Sequence, residues 1–320
     1  MARKRMKFTT AAILATAAIV GPLAMSASSD SFPGINGPIA FMSSRDGNQE
    51  IYLLTTDGSE QRLTNDAGDD QAPSISADGT KIAFASDRNG GFDIYVMNLD
   101  GSNLVQITNM PGTENNVSWS PDGQRLVFNN GNNGEIDLYT IGIDGQGLTN
   151  LTPSTPNSYE ADGSYSPDGT RIAFTSSGPG FSNIFCMDAD GTNVVTLTIG
   201  NPDYGPVWSP DGSKLVFVSS RTNNFYQVFT MNADGSSQTQ ISTTPFATGP
   251  SWSPDGTKIV FTSNGLWEMN PDGSSPTQLT LGGDVYNPNW GVGQVVPSTT
   301  TTIATSTTSA GEPVVPAFTG

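Results

Sequence analysis

Apolar residues in this chain fall into short runs broken by turn-forming residues, and the runs recur. VWSPDGSKLVFVS at 207–219 is echoed by VSWSPDGQRLVF at 117–128 and by PSWSPDGTKIVFTS at 250–263. The Asp-Gly step of this S-x-D-G phrase falls at Asp78, Asp122, Asp168, Asp211 and Asp255, at spacings of 44, 46, 43 and 44 residues. A second Asp-Gly step runs in phase, at Asp57, Asp100, Asp144, Asp190, Asp234 and Asp272. Between the steps the apolar positions form columns. One is Phe41, Phe84, Phe128, Phe174, Phe217 and Phe261; the next is Tyr52, Tyr95, Tyr139, Phe185, Phe229 and Trp267. A third column follows the second step, at Leu63, Ile107, Leu151, Leu197, Ile241 and Leu279.

Each period predicts four short strands: one ending in Trp-Ser, one of the KIAF type, one of the IYVM type and a brief one around QLT. Four strands at this spacing are the mark of a propeller blade. In S-P-D-G, proline presets the backbone, aspartate can cap through its side chain, and glycine accepts the positive φ that closes the hairpin. One such unit cannot cover both its faces, so units must stack, with the aromatic columns between them. Strands of the second, third and fourth kind occur six times from Ile39 to Leu279, yet the chain enters without a strand of the first kind. NPNWG at 287–291 supplies the missing one and should pair beside PIAFMSS at 38–44, leaving no open edge. The expected fold is all-β: a six-bladed β-propeller over 38–293 with four-stranded antiparallel blades, closed by the C-terminal strand.

Composition adds a compartment. Arg3, Lys4, Arg5 and Lys7 precede an apolar run from Ala11 to Met25, and small residues follow, the layout of a secretory signal peptide over 1–28. The run is broken by Gly21 and Pro22 and is shorter than the roughly 20 residues a spanning helix needs, so no membrane span is expected in the mature chain. Losing those four cations lowers the basic count from 13 to 9 against 30 acids and takes the net charge from −17 to −21. Nucleic acid and anionic membrane surfaces are thereby poor partners. Residues 29–37 read as a lead-in, and 294–320, rich in Ser, Thr and Pro, as a tail without a core. An exported monomer, secreted, periplasmic or at the cell surface, is the expectation.

The phrase W-S-P-D-G-T-K-I-V-F, followed by I-Y-V-M-N-x-D-G-S and Q-L-T, resembles the TolB-type β-propeller repeat, a relative of the WD repeats; the match spans 38–292. The resemblance implies a six-bladed propeller that binds envelope proteins. TolB itself carries a mixed α/β domain ahead of its propeller, whereas here only about ten residues separate the expected cleavage site from the first strand. A place in the Tol–Pal machine is accordingly not expected. Prolyl-oligopeptidase relatives use similar repeats with a hydrolase domain bearing G-x-S-x-G and a histidine, and this sequence has neither.

The lack of histidine and the single cysteine, Cys186, exclude an intrachain disulfide and a Cys/His zinc cluster. Of the 30 acids, 13 directly precede glycine and most of these are explained by turns, which weakens a glycosidase reading that needs only two carboxylates. D-A-D-G at 188–191 lacks the further ligands of a calcium loop and reads as a hairpin turn. Arg45, Arg88 and Arg221 fall in equivalent loops, unlike the converging arginines of a sialidase. No cofactor, metal or catalytic residue is expected. What varies between periods is the loop leading into each first strand. Acids and tyrosines gather there: Asp69, Asp70, Glu114, Tyr159, Glu160, Asp162, Asp203, Tyr204, Asp284 and Tyr286. These predict an acidic, tyrosine-dotted rim around one mouth of the channel, suited to a basic or polar protein. The alternative is a carbohydrate-active or other ligand-binding propeller, with a polysaccharide or small ligand in a carboxylate-lined channel.

Overall fold

The computed structural model describes residues 32–294 apart from 154–158, 178–180, 223–224, 281 and 283. The expected leader (1–28), the start of the lead-in (29–31) and the tail from 295 onward lie outside the described residues.

Among the described residues there are 24 strands and no helix. The first sheet contains β1 (Asn36–Ser43), β2 (Glu50–Leu54) and β3 (Glu60–Arg62), with β24 (Val285–Val292) hydrogen-bonded to the free side of β1. The second runs β4 (Asp70–Ile75), β5 (Lys81–Ser86), β6 (Asp93–Asn98), β7 (Val105–Gln106). Two further antiparallel meanders follow. One is β8 (Thr113–Trp119), β9 (Arg125–Asn132), β10 (Glu135–Gly142) and β11 (Thr149–Asn150). The other is β12 (Tyr159–Tyr165), β13 (Arg171–Ser177), β14 (Ser182–Asp188) and β15 (Val195–Thr196). A single parallel pairing of Ile136 with Tyr159 joins these two into an eight-stranded sheet. The last two sheets are β16 (Asp203–Trp208), β17 (Lys214–Ser219), β18 (Gln227–Asn232), β19 (Thr239–Gln240), and β20 (Thr248–Trp252), β21 (Ile259–Thr262), β22 (Leu266–Met269), β23 (Thr277–Gln278).

The expected pairing of the C-terminal segment with the first strand is present. Trp290 pairs with Ile39, its indole Nε1 donates to Gly37 O at 3.2 Å, and it shares an apolar cluster with Phe41. Strand β24 also touches β4 on one side and β20 on the other, while β4 meets β8, β8 meets β12, β12 meets β16 and β16 meets β20. Each of these first strands breaks register at one residue held in the left-handed region: Ala72, Asn116, Asp162, Gly205, Gly249 and Asn287. A bulge recurring at one position bends every inner strand in the same way.

Packing explains the columns. Every phenylalanine of the first column is buried, and each buried apolar cluster draws on two neighbouring sheets; one joins Ala173, Ile184 and Cys186 to Trp208, Leu215, Phe217 and Phe229. Phe41 and Tyr52 stack at 5.6 Å between ring centres, as do Phe84 and Tyr95 at 6.0 Å. No sheet hides its faces alone, so each buried phenylalanine contributes about 1.5–3 kcal/mol to the sheets' mutual adhesion. Cys186 takes its place in this packing on β14, fully buried, and its thiol is pushed up by burial.

The S-x-D-G turns are built by side chains. Asp122 Oδ1 accepts from Ser120 Oγ at 2.6 Å and from Gln124 N at 3.0 Å, Ser120 Oγ accepts from Arg125 N at 2.9 Å, and Gly123 has φ +66°. The same bonds recur at Asp78, Asp168, Asp211 and Asp255.

Candidate functional site

An antiparallel meander sends both Asp-Gly turns of each sheet to one end of the molecule, the turn end, and its other loops to the opposite, loop end. The turn end is partly covered by the lead-in. Gly34 N donates to Pro254 O at 3.2 Å, Asn36 Oδ1 accepts from Asp255 N at 3.1 Å, and Phe32 packs in a cluster with Ala77, Val117, Trp119 and Val292. All ten residues of the sequence-predicted rim belong to the loop end, but they do not form an exposed acidic fringe.

Asp70, Glu114 and Asp203 are completely buried, and Glu160 and Asp162 nearly so. The reason is local. These acids sit two residues before the bulge of a first strand, or on it, where the next sheet covers them. Arg88 grips Asp70 through Nη2 at 2.8 and 3.0 Å, bonds Ser86 Oγ at 2.8 Å, and lies over the rings of Phe84 and Tyr95. Arg221 repeats this with Asp203, Ser219, Phe217 and Phe229. In the first sheet Arg45 stacks on Phe41 and Tyr52, but the acid slot is Val285 and the guanidinium pairs with Glu60 instead. The equivalent loops that carry Arg45, Arg88 and Arg221 thus have a structural purpose: a cation clamped on an aromatic pair. Burial raises the Asp70 carboxyl above its ordinary range despite the bonds from Ser86 and Arg88.

The remaining rim residues divide by exposure. Glu160 accepts from Ser176 at 3.1 Å. Asp162, with φ +57°, accepts from Asn116 Nδ2 at 2.8 Å and Thr175 Oγ1 at 3.0 Å. Asp69 is half-buried and accepts from Gln49 N at 2.9 Å. Tyr159 and Tyr204 are half-buried, and burial raises both hydroxyls, with Asp162 adding to the rise at Tyr159. Only Asp284 and Tyr286, of the ten, are exposed.

What the loop end does expose is aromatic. Phe181, Phe225 and Phe246 are 57, 45 and 60 % exposed, and Ile199 is 80 % exposed. Phe225 meets Phe246 edge-on at 5.2 Å, and Tyr204 meets Tyr226 edge-on at 6.3 Å. Phe181, Ile199, Phe225 and Phe246 come from the loops of the fourth and fifth meanders, so they share one sector of the loop end. Sequence reasoning named Tyr204 and Tyr286 but missed the phenylalanines and Ile199, because these lie outside the aligned columns. Their signal was that same departure: a phenylalanine in a loop has no column partner to bury it. Beside this sector, between the third and fourth meanders, lies a cleft of about 390 Å³ lined by Asn132, Asn133, Ile136 and Tyr159.

Among the described residues, Glu50, Asp66 and Asp70 bring carboxylate oxygens within 4.8 Å of one another, a spacing that suits a metal. Arg88 bonds Asp66 and Asp70 there and Arg62 bonds Glu50 at 2.6 Å, so guanidinium groups already supply the positive charge. No described helix is long and apolar enough to cross a membrane.

A family model for the TolB beta propeller domain matches residues 13–117 and 103–294. Among solved structures, TolB from Acinetobacter baumannii superposes with a TM-score of 0.71 at 24 % identity, covering 80 % of this chain and 67 % of that one. A putative TolB from Agrobacterium tumefaciens gives 0.64 at 23 %, covering 80 % and 99 %. An oligogalacturonate lyase from Vibrio parahaemolyticus gives 0.54 at 17 %, covering 79 % and 77 %. A search of curated protein sequences returned no match. Repeats, sheet order and the family match agree, and the chain belongs to the TolB β-propeller domain family.

Proposed function

We propose that the chain is an exported six-bladed propeller whose first blade is completed by β24, and that it works without catalysis as a binding or scaffold module. Its loop end recognises a protein partner in the cell envelope or outside the cell. One observation carries this reading: Phe181, Ile199, Phe225 and Phe246 are exposed in one sector of the loop end, with Phe225 against Phe246 at 5.2 Å, while the lead-in covers part of the turn end. Exposed aromatic clusters mark interaction surfaces, because rigid rings bury much area at small entropic cost. The exposed Asp284, the half-buried Asp69 and the overall charge of −17 favour a partner that offers apolar anchors among basic or polar groups.

The rival reading places a saccharide in the channel. It draws on Asp162, a carboxylate on a strained bulge, and on the fold shared with a propeller lyase. Both Asp162 oxygens already accept hydrogen bonds, which suits a structural acid better than a reacting one.

A photo-crosslinking side chain at position 246, with a control at position 236 on the turn end, tests the proposal in envelope extract. One protein adduct is expected at 246 and none at 236, lost when Phe225→Ser and Tyr286→Ser are introduced together. Equal labelling at both ends overturns it. So does oligosaccharide binding abolished by Asp162→Asn with no protein adduct, which places the function in the channel.

A further inference from the structure

At the loop end the seams between neighbouring sheets repeat one backbone hydrogen bond, while the charged groups around it change from seam to seam. At the start of each third strand a backbone N–H donates to a hydroxyl that follows the fourth strand: Ile51 N to Thr64 at 2.9 Å, Ile94 N to Thr108 at 2.7 Å. The residue before that N–H is an acid in both cases, Glu50 and Asp93, and the next sheet contributes a second acid, Asp70 and Glu114. Around Glu50 and Asp70 two arginines neutralise the cluster, Arg62 and Arg88. Around Asp93 and Glu114 both arginine slots are changed. Gln106 stands for Arg62, donating to Asp93 Oδ2 at 2.9 Å, and the exposed Asn132 stands for Arg88.

The result is a surplus of buried acceptors. Asp93 is 8 % exposed and Glu114 not at all, their carboxyl groups lie within hydrogen-bonding reach, and no ion pair reaches either among the described residues. Glu114 Oε2 accepts from Thr108 Oγ1 at 3.2 Å and the Met110 backbone N–H also serves this carboxylate, but the buried Oε1 has no hydrogen-bond partner. Asn130 pairs directly opposite Glu114, so the two side chains leave the same face of the sheet. Its amide nitrogen donates to Pro111 O at 3.3 Å, and its Oδ1 is likewise buried with no donor; the residue is 5 % exposed. A proton shared by the carboxyl pair leaves the amide oxygen unsatisfied. A cation satisfies all of them, since hard cations collect carboxylate and amide oxygens.

We propose that the seam between the second and third meanders holds a calcium ion through Asp93, Glu114 and Asn130 Oδ1, in the place that arginines fill one seam earlier. The site is separate from the loop-end recognition proposed above and does not depend on it.

Calorimetric titration of the chelator-treated full chain with calcium chloride, together with thermal melts, tests the assignment. One calcium per chain is expected, with a rise in Tm of about 5 °C when calcium reaches about a hundred times Kd. Glu114→Gln weakens binding at least about tenfold. Asn132→Arg, which restores the arginine found at position 88, abolishes the calcium response while the fold persists. Asp66→Asn, in the arginine-filled seam, leaves the response intact. A chain that shows neither heat nor a Tm shift with calcium, or a response that survives both Glu114→Gln and Asn132→Arg, overturns the proposal.

Discussion

At the turn end the S-x-D-G turns of successive periods carry one device: a serine two residues before an aspartate, the aspartate's own oxygen holding the chain two residues after it, and a left-handed glycine. At the loop end the corresponding positions diverge. The slot of Asp70 holds Glu114, Glu160, Asp203, Ala247 and Val285 in the other sheets, and exposed phenylalanines appear in one sector. Repetition at one end serves folding, because the side-chain bonds that build each turn join residues no more than five positions apart. Variation at the other is where a single asymmetric contact can be made, since identical sites around an axis have no preferred side.

The sharpest break of this comparison is in what the two ends share. Phe217→Ala opens a cavity between two sheets and should cost about 3–5 kcal/mol, read as a lower midpoint in denaturant; an unchanged midpoint means the columns do not hold the sheets together. Next comes the arginine clamp. Arg221→Met strands the buried Asp203 and should cost about 3–5 kcal/mol, whereas Arg45→Met, facing the more exposed Glu60, should cost about 1 kcal/mol or less. Equal losses in the two melts remove the distinction between a buried seam and a surface pair.

The two ends should also answer pH with opposite sign. The turn aspartates Asp57, Asp122 and Asp168 are held below their ordinary range by hydroxyl and backbone donors, Asp57 down to about 2. Their contribution is full above about pH 4 and lost as pH falls towards 2. Glu114 is pushed up to about 7, by burial first and then by Asp93. Its protonated form is favoured in the fold, so that contribution is full below about pH 4 and lost as pH rises through about 7. Stability measured from pH 2 to 8 without calcium should therefore rise and then sag, and Glu114→Gln should remove the sag. The smallest effect on stability is at Phe246. Phe246→Ser should move the melt by no more than about 0.5 kcal/mol while lowering partner capture at least tenfold.

Much of the fold was legible in the linear chain. The Asp-Gly steps, the phenylalanine columns and the placement of NPNWG beside PIAFMSS all rest on short-range turn chemistry and on a period visible in one dimension. The family match agrees with the resemblance read from those repeats. The site was less legible. The gathering of Asp70, Glu114 and Asp203 at the loop end was visible, but their burial was not. A carboxylate two residues ahead of a bulge looks like any loop acid until the neighbouring sheet covers it. The partner of Asp70 is Arg88, 18 residues away, and nothing in the spacing distinguishes it from Arg45, whose acid slot is a valine supplied from the far end of the chain.

Sequence alone determined the repeating unit, its turns and the side chains that must be hidden, because each depends on neighbours a few residues apart or on a fixed period. Tertiary structure alone decided which carboxylates face solvent, which are clamped by arginine and which are left with surplus oxygens, and on which side the unburied aromatics collect. Those outcomes depend on the sheet next door, whose distance along the chain carries no information about its distance in space.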